Sequence, residues 1–265
     1  MTYSGNLLKM KSHWDSPVRY ELALGEQLVP MNDLIGKKVR ILYEGRINCK
    51  VCGRKTAKVF GQGFCYPCFM NAPENSPCII RPELCEAHLG QGRDVAWEEK
   101  NHLQAHVVYL ALSSGVKVGV TRLDQIPTRW IDQGAWKAIR LSETPYRQIA
   151  GQIEVALKDH IADKTNWQHM LKNILADDVD LLAEKANIQA LLPPELQQYA
   201  SSQDEIIEIA YPVDQFPQKI KSINLDKTPD INARLEGIKG QYLLFEEGQV
   251  INIRKYEGYW VELSV

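Results

Sequence analysis

The cysteines constrain this chain more than any other feature. Six are present, at Cys49, Cys52, Cys65, Cys68, Cys78 and Cys85, and the rest of the chain has none. Dispersed pairs would suggest disulfides, whereas a tight cluster in a chain without a secretory signal favours metal. Cys49-Lys50-Val51-Cys52 and Cys65-Tyr66-Pro67-Cys68 are two C-x2-C pairs with twelve residues between them. Each pair puts two thiolates on one side of a turn, and two such knuckles make the tetrahedral four-sulfur shell that Zn2+ prefers. Gly53 suits the first turn, and Arg54 to Phe64, with Gly61 and Gly63, can form a small hairpin. A closed four-thiolate shell has no open position, so this zinc is expected to fold the segment rather than catalyse; a redox pair or free thiols are the alternatives. Cys78 and Cys85 are less regular. With His88 and His102 they give a second candidate zinc shell, the alternative being buried free thiols.

With 265 residues, 45% of them hydrophobic, the chain can bury a sizeable core and has room for about two domains. Mean hydropathy is −0.30. No apolar run approaches the ~18 residues of a membrane span, and Met1 to Met10 lacks a signal-peptide core. The expected setting is cytoplasmic and soluble, without membrane contact. Val18 to Leu24 and Gly36 to Gly45 read as strands, as do Ile206 to Ile209, Leu243 to Phe245, Val250 to Ile253 and Tyr259 to Leu263, with turns at Glu247-Gly248 and Glu257-Gly258. Between them, His106 to Leu112 and Val116 to Val120 form a hairpin. A short helix from Pro127 carries Arg129 and Trp130. Trp136 to Leu141 is a third strand. Tyr146 to Ile161 is helical, another helix follows from Asn166 to Ile174, and Asp178 to Leu192 is an amphipathic helix stopped by Pro193-Pro194.

The net charge of −2 averages two opposed regions. Gly36 to Met70 has eight basic residues against Glu44, hence +7, and aromatic residues are interleaved with them. Lys50, Arg54, Lys55 and Lys58, with Arg122 further on, are candidate nucleic-acid contacts, because cations neutralise phosphates and aromatic rings stack on bases. The competing reading is that the aromatics are the module's small core and the lysines keep it soluble. Residues 174–215 carry −8, usually the mark of a solvated face.

Val107-Val108-Tyr109, Lys117-Val118-Gly119, Arg129, Glu154 and Asn166, in that order on a hairpin and two helices, resemble the GIY-YIG nuclease superfamily. The resemblance implies that Glu154 holds a divalent metal (Mg2+ or Mn2+) and that Arg129 neutralises the scissile phosphate. It further implies that Tyr109 contacts the attacking water or nearby phosphate and that Asn166 is a supporting hydrogen-bonder. Val107 stands where the first signature opens on Gly, and Lys117 where the second usually has Tyr. The general base is therefore Tyr109 or a desolvated Lys117. The chemistry is coherent on its own terms, since phosphodiester cleavage needs a hard cation, a fixed positive charge and a base. Set against it, Tyr109 suits a sheet core, Glu154 can pair with Lys158 one turn on, and Arg129 can pair with Asp132.

Arg81-Pro82-Glu83-Leu84, Val107 to Leu110, Lys117 to Arg122, Gln125 to Ala135 and Asp163-Lys164-Thr165-Asn166-Trp167 resemble the bacterial domain-of-unknown-function family 2797. Gly92 and His102 stand where many of its members have cysteines. The resemblance implies a cysteine-rich module followed by a GIY-YIG-like unit. The expected fold class is α+β. It comprises an N-terminal β segment (1–47), a zinc-binding module with irregular connector (48–105), a GIY-YIG-like α/β unit (106–173), an acidic helical linker (174–205) and a C-terminal small β sheet or barrel (206–265). The expected function is a zinc-containing protein that interacts with DNA or RNA, either as a divalent-metal-dependent endonuclease or as a non-catalytic binding or adaptor module. The C-terminal β segment is a candidate surface for a protein partner.

Overall fold

Alternation of buried and more exposed residues runs through the central strands of the first of two units. A computed structural model describes residues 1–158, 160–161 and 166–265, and in it the chain is mixed α+β. The first unit comprises residues 1–70, 131–134 and 209–265. Its main sheet has seven strands in the order Thr2–Asn6, Tyr259–Ser264, Lys38–Ile47, Asp230–Lys239, Tyr242–Phe245, Gln249–Asn252, Lys221–Ser222. All neighbours are antiparallel except the last pair. Val39 and Ile41 turn inward with Ile231, Ala233 and Leu235 on one side and Val261 and Leu263 on the other. This is the period-two signature of a sheet with one face on a core. A second sheet pairs Lys11–His13, Arg19–Leu24 and Gln27–Pro30.

Several of these strands, the two-residue Lys221–Ser222 among them, are not predicted from the sequence. Thr2–Asn6 contains Ser and Gly, weak strand formers. Its Gly5 is needed because a Cβ there would lie 2.6 Å from the Leu24 carbonyl oxygen. Lys11–His13 is too short to show a period. Asp230–Lys239 alternates well, but charged residues on its outer face mask the pattern. Both expected turns form: Glu247 and Gly248 take φ of 58° and 74°, and Gly258 takes 91°.

The second unit comprises residues 71–130 and 135–208. Its sheet has the order Val116–Arg122, His106–Leu112, Lys137–Thr144, Ile207–Glu208, all antiparallel. Ile207–Glu208 therefore pairs with Lys137 and Ala138 and does not join the C-terminal sheet, contrary to expectation from the sequence. His106–Leu112 is buried at every position, as expected for an interior strand covered on both faces. Val108, Leu110 and Val118 form one core with Ile149, Ile153 and Leu157 of the Arg147–Leu157 helix and with Leu181 and Ile188 of the Leu181–Gln189 helix. The acidic segment is thus part of this core as well as solvated. Asp180 caps its helix by accepting hydrogen bonds from Leu182 N and Ala183 N. The Asp163-Lys164-Thr165 part of the family-like motif lies outside the described residues. Among the described residues, no helix is long and apolar enough to cross a membrane.

Candidate functional site

In the first unit Cys49, Cys52, Cys65 and Cys68 converge, with their Sγ atoms all within 4.8 Å of one another. Cys52 Sγ and Cys65 Sγ are 3.7 Å apart. A tetrahedral shell with metal–sulfur bonds of ~2.3 Å has edges of about 3.8 Å, so the group fits a tetrahedral metal. The local sequence makes the knuckle. Gly53, at φ of 70°, lets its N–H donate to Cys49 O while Cys49 N donates to Arg54 O, both at 2.9 Å. Phe60 and Phe64 exchange backbone hydrogen bonds, which closes the hairpin expected between the two pairs. Burial raises the Cys49 thiol pKa, but the N–H groups of Cys52, Cys65 and Val51 together draw it down to about 6. Cys68, pushed by burial and by the other three thiols, rises to about 12.

The basic strip divides. Lys50 is turned inward: its Nζ pairs with Glu257 at 2.9 Å and lies 4.5 Å from the Phe64 ring centre. Gly63 and Gly258 let this loop close on Asn48 and Glu257, since a Cβ at Gly258 would lie 2.3 Å from Asn48 O. Arg54, Lys55 and Lys58 are exposed. Lys58 lies 5.0 Å from the Phe60 ring, which also meets Tyr66 and Phe69, and Tyr66 is 57% exposed. Arg122, in the second unit, is held locally by Asp124 and Asn101.

The GIY-YIG-like residues lie in the second unit. Tyr109 pairs with Gly119 and Ala111 with Lys117. Strand alternation thus puts Tyr109 and Lys117 on one face, and Val108, Leu110 and Val118 on the face covered by the Arg147–Leu157 helix. Tyr109 is fully buried, its ring edge-on to Trp130 with centroids 5.8 Å apart. A Cβ at Gly119 would lie 2.6 Å from its Oη. Tyr109 is thus a packed position of the sheet. Asn166 caps the Trp167–Leu171 helix, accepting from Gln168 N and His169 N. Asp132 binds Lys9 and Gln241. Glu154 and Arg129 meet in their effect on Arg147, a residue that the sequence motifs do not mark. Arg147 has its pKa lowered, first by burial, and it feels both the Glu154 carboxylate and the Arg129 guanidinium. Arg147 and Glu154 are seven apart, two turns along one helix face. That spacing is the signal that could have found it.

Arg147 also donates to Cys78 O at 3.0 and 2.9 Å and to Ile79 O at 3.0 Å. Nearby, Cys78, Cys85 and His102 come together, and the fourth side chain among them is Glu98. His88 instead stacks on Tyr146, with ring centroids 5.0 Å apart. A family model for proteins of unknown function (DUF2797) matches residues 36–261. No curated protein and no solved structure matches the chain.

Proposed function

The chain belongs to the DUF2797 family of proteins of unknown function, and from that premise we propose that it is a zinc-containing protein that interacts with nucleic acid. The observation carrying this reading is the outer surface of the four-cysteine module. Arg54, Lys55 and Lys58 are exposed there, and so is the ring of Tyr66, a combination suited to phosphates and to stacked bases. The four thiolates suit Zn2+, which a closed sulfur shell holds for folding. Salt-titrated binding of single-stranded and duplex DNA and RNA tests the reading. Arg54→Ser, Lys55→Ser and Lys58→Ser each remove one cation facing a phosphate, and each lowers the slope of log K against log salt by about 0.7–0.9. Salt-independent binding, or none, overturns it.

A second reading, phosphodiester cleavage, is favoured by the shared electrostatic influence of Glu154 and Arg129 on Arg147. In it, Glu154 would hold Mg2+ or Mn2+ through its carboxylate, a hard oxygen ligand of the kind these cations take. A cation held there would supply charge stabilisation at the phosphate. Arg129 binds a non-bridging oxygen in its planar fork, and Arg147 keeps the site positive while its own hydrogen bonds fix it in place. Lys117 is the candidate base, because Tyr109 is enclosed. Cleavage that requires Mg2+ or Mn2+ and is lost in Glu154→Ala and Arg129→Ala supports this. Binding without turnover leaves only the first reading.

A further inference from the structure

We propose that Cys78, Cys85, Glu98 and His102 form a second zinc centre, a closed shell of two thiolates, one carboxylate and one imidazole within the second unit. The four ligand atoms lie within 4.8 Å of one another, and none of the four residues is more than 6% exposed. They come from three separate segments: the Pro77–Ile79 turn, the residue after the Pro82–Leu84 turn, and the Val95–His102 helix. On that helix Glu98 and His102 are one turn apart on one face.

Hydrogen bonding alone does not account for the cluster. His102 Nδ1 is 2.5 Å from Glu98 Oε2, 3.5 Å from Cys85 Sγ and 3.9 Å from Cys78 Sγ. Glu98 Oε2 is in turn 3.8 Å from Cys78 Sγ. A ring nitrogen carries one proton or one lone pair and serves one partner well, yet three converge on this one. A cation at the centre satisfies all four at once, and it offsets the cost of burying a carboxylate.

The surroundings are those of a supported metal shell. Ser76 Oγ donates to Glu98 Oε1 at 2.7 Å, leaving Oε2 for the ion. Arg147 clamps the carbonyls of Cys78 and Ile79, which fixes the first thiol. Trp97 stands edge-on to the His102 ring, 5.3 Å between centroids. Such outer partners orient ligands and tune their basicity. Gly92 completes the arrangement: a Cβ there would lie 2.4 Å from Glu98 Cγ, so glycine opens the space through which the carboxylate enters. Two thiolates with an imidazole select a borderline-soft ion in tetrahedral geometry, hence zinc. All four positions are taken by protein, so the ion ties the segment around residues 76–102 together and performs no chemistry.

The test is metal content of the full-length protein, read for all first-row metals, with cobalt substitution alongside. It does not depend on nucleic-acid binding or cleavage. The expected result is two zinc ions per chain, one lost in Cys52→Ser and the other in Cys85→Ser. In the cobalt form six thiolates contribute to the sulfur-to-metal charge-transfer band. That band falls by a third in Cys85→Ser and by two-thirds in Cys52→Ser. If either variant misfolds, Gly92→Ala and Glu98→Gln, which keep both thiols, release one of two ions to chelator at least tenfold faster than the wild type. One metal per chain in the wild type, lost entirely in Cys52→Ser, overturns the proposal. A second ion other than zinc overturns the assignment of the metal.

Discussion

Replacing Gly151 by alanine sets two opposed effects against each other, and the structure decides which is larger. Gly151 lies within the Arg147–Leu157 helix, where alanine gains about 0.8–1.0 kcal/mol over glycine in helix propensity. The new Cβ, however, meets main chain: Glu83 N at 2.1 Å, Pro82 C at 2.4 Å and Glu83 Cα at 2.7 Å, where ordinary contact begins at 3.4 Å. Backbone cannot swing aside like the tip of a side chain. The Pro82–Leu84 turn has to retreat by more than an ångström, and a gap of about 0.5–1 Å already forfeits a quarter to a half of each dispersion contact. The retreat also pulls on Cys78 and Ile79, whose carbonyls hold Arg147. Overpacking costs about 1–3 kcal/mol, and a rigid obstacle puts this case at the upper end. After the propensity gain, the net loss is about 1–2 kcal/mol, a fall in Tm of roughly 2–8 °C for a unit of this size. Urea and thermal unfolding of the full-length protein measure it. Gln152→Ala, at an exposed position of the same helix, is the control and stays within about 0.5 kcal/mol of wild type. A Gly151→Ala protein as stable as the wild type, or more so, refutes the packing argument.

Other outcomes follow from single contacts. Gly119→Ala displaces the Tyr109 ring, whose Oη and Cζ would lie 2.6 and 2.7 Å from the new Cβ. The cost is about 1–3 kcal/mol, and a double-mutant cycle with Tyr109→Leu shows coupling; strict additivity would argue against the contact. Lys50→Met destabilises the four-cysteine loop by removing the closer of the two cations, Lys50 and Arg254, that pair with the buried Glu257, but leaves the salt slope of the proposed nucleic-acid binding unchanged because Lys50 faces inward. Burial holds the His106 pKa down at about 4, whereas the unfolded chain takes the proton near ~6.5. The unfolded state therefore binds the proton first as pH falls. Stability is full above about 6.5 and declines toward pH 4 by on the order of 3 kcal/mol. In His106→Asn the pH dependence of the urea midpoint flattens over that window, and an unchanged slope contradicts the assignment.

The four-cysteine cluster is legible in the sequence because its geometry is local. Each C-x2-C pair needs only one turn to aim two thiols, supplied by Gly53 in the first pair and by the start of the Tyr66–Asn71 helix in the second. The second-unit strands and helices are legible for the same reason, since period-two and period-3.6 patterns are written in neighbouring residues. Glu98 is invisible at that level. It is one of many acidic residues, and nothing in its spacing from Cys78 or Cys85 is periodic. Only folding brings its carboxylate to the thiols through the space left by Gly92.

The sequence by itself therefore determined the four-cysteine knuckles, the alternating strands and the hairpin-and-helix order of the second unit. All of these depend on interactions a few residues long. Tertiary structure alone decided which charges are available. It turned Lys50 inward onto Glu257 and left Arg54, Lys55 and Lys58 outside. It buried Tyr109 against Trp130, and it set Arg147 on the Cys78 carbonyl, where Glu154 and Arg129 act on it electrostatically. Burial and charge environment arise from contacts between segments far apart in the chain. A side chain's role follows from what surrounds it, and its position in the sequence does not fix that.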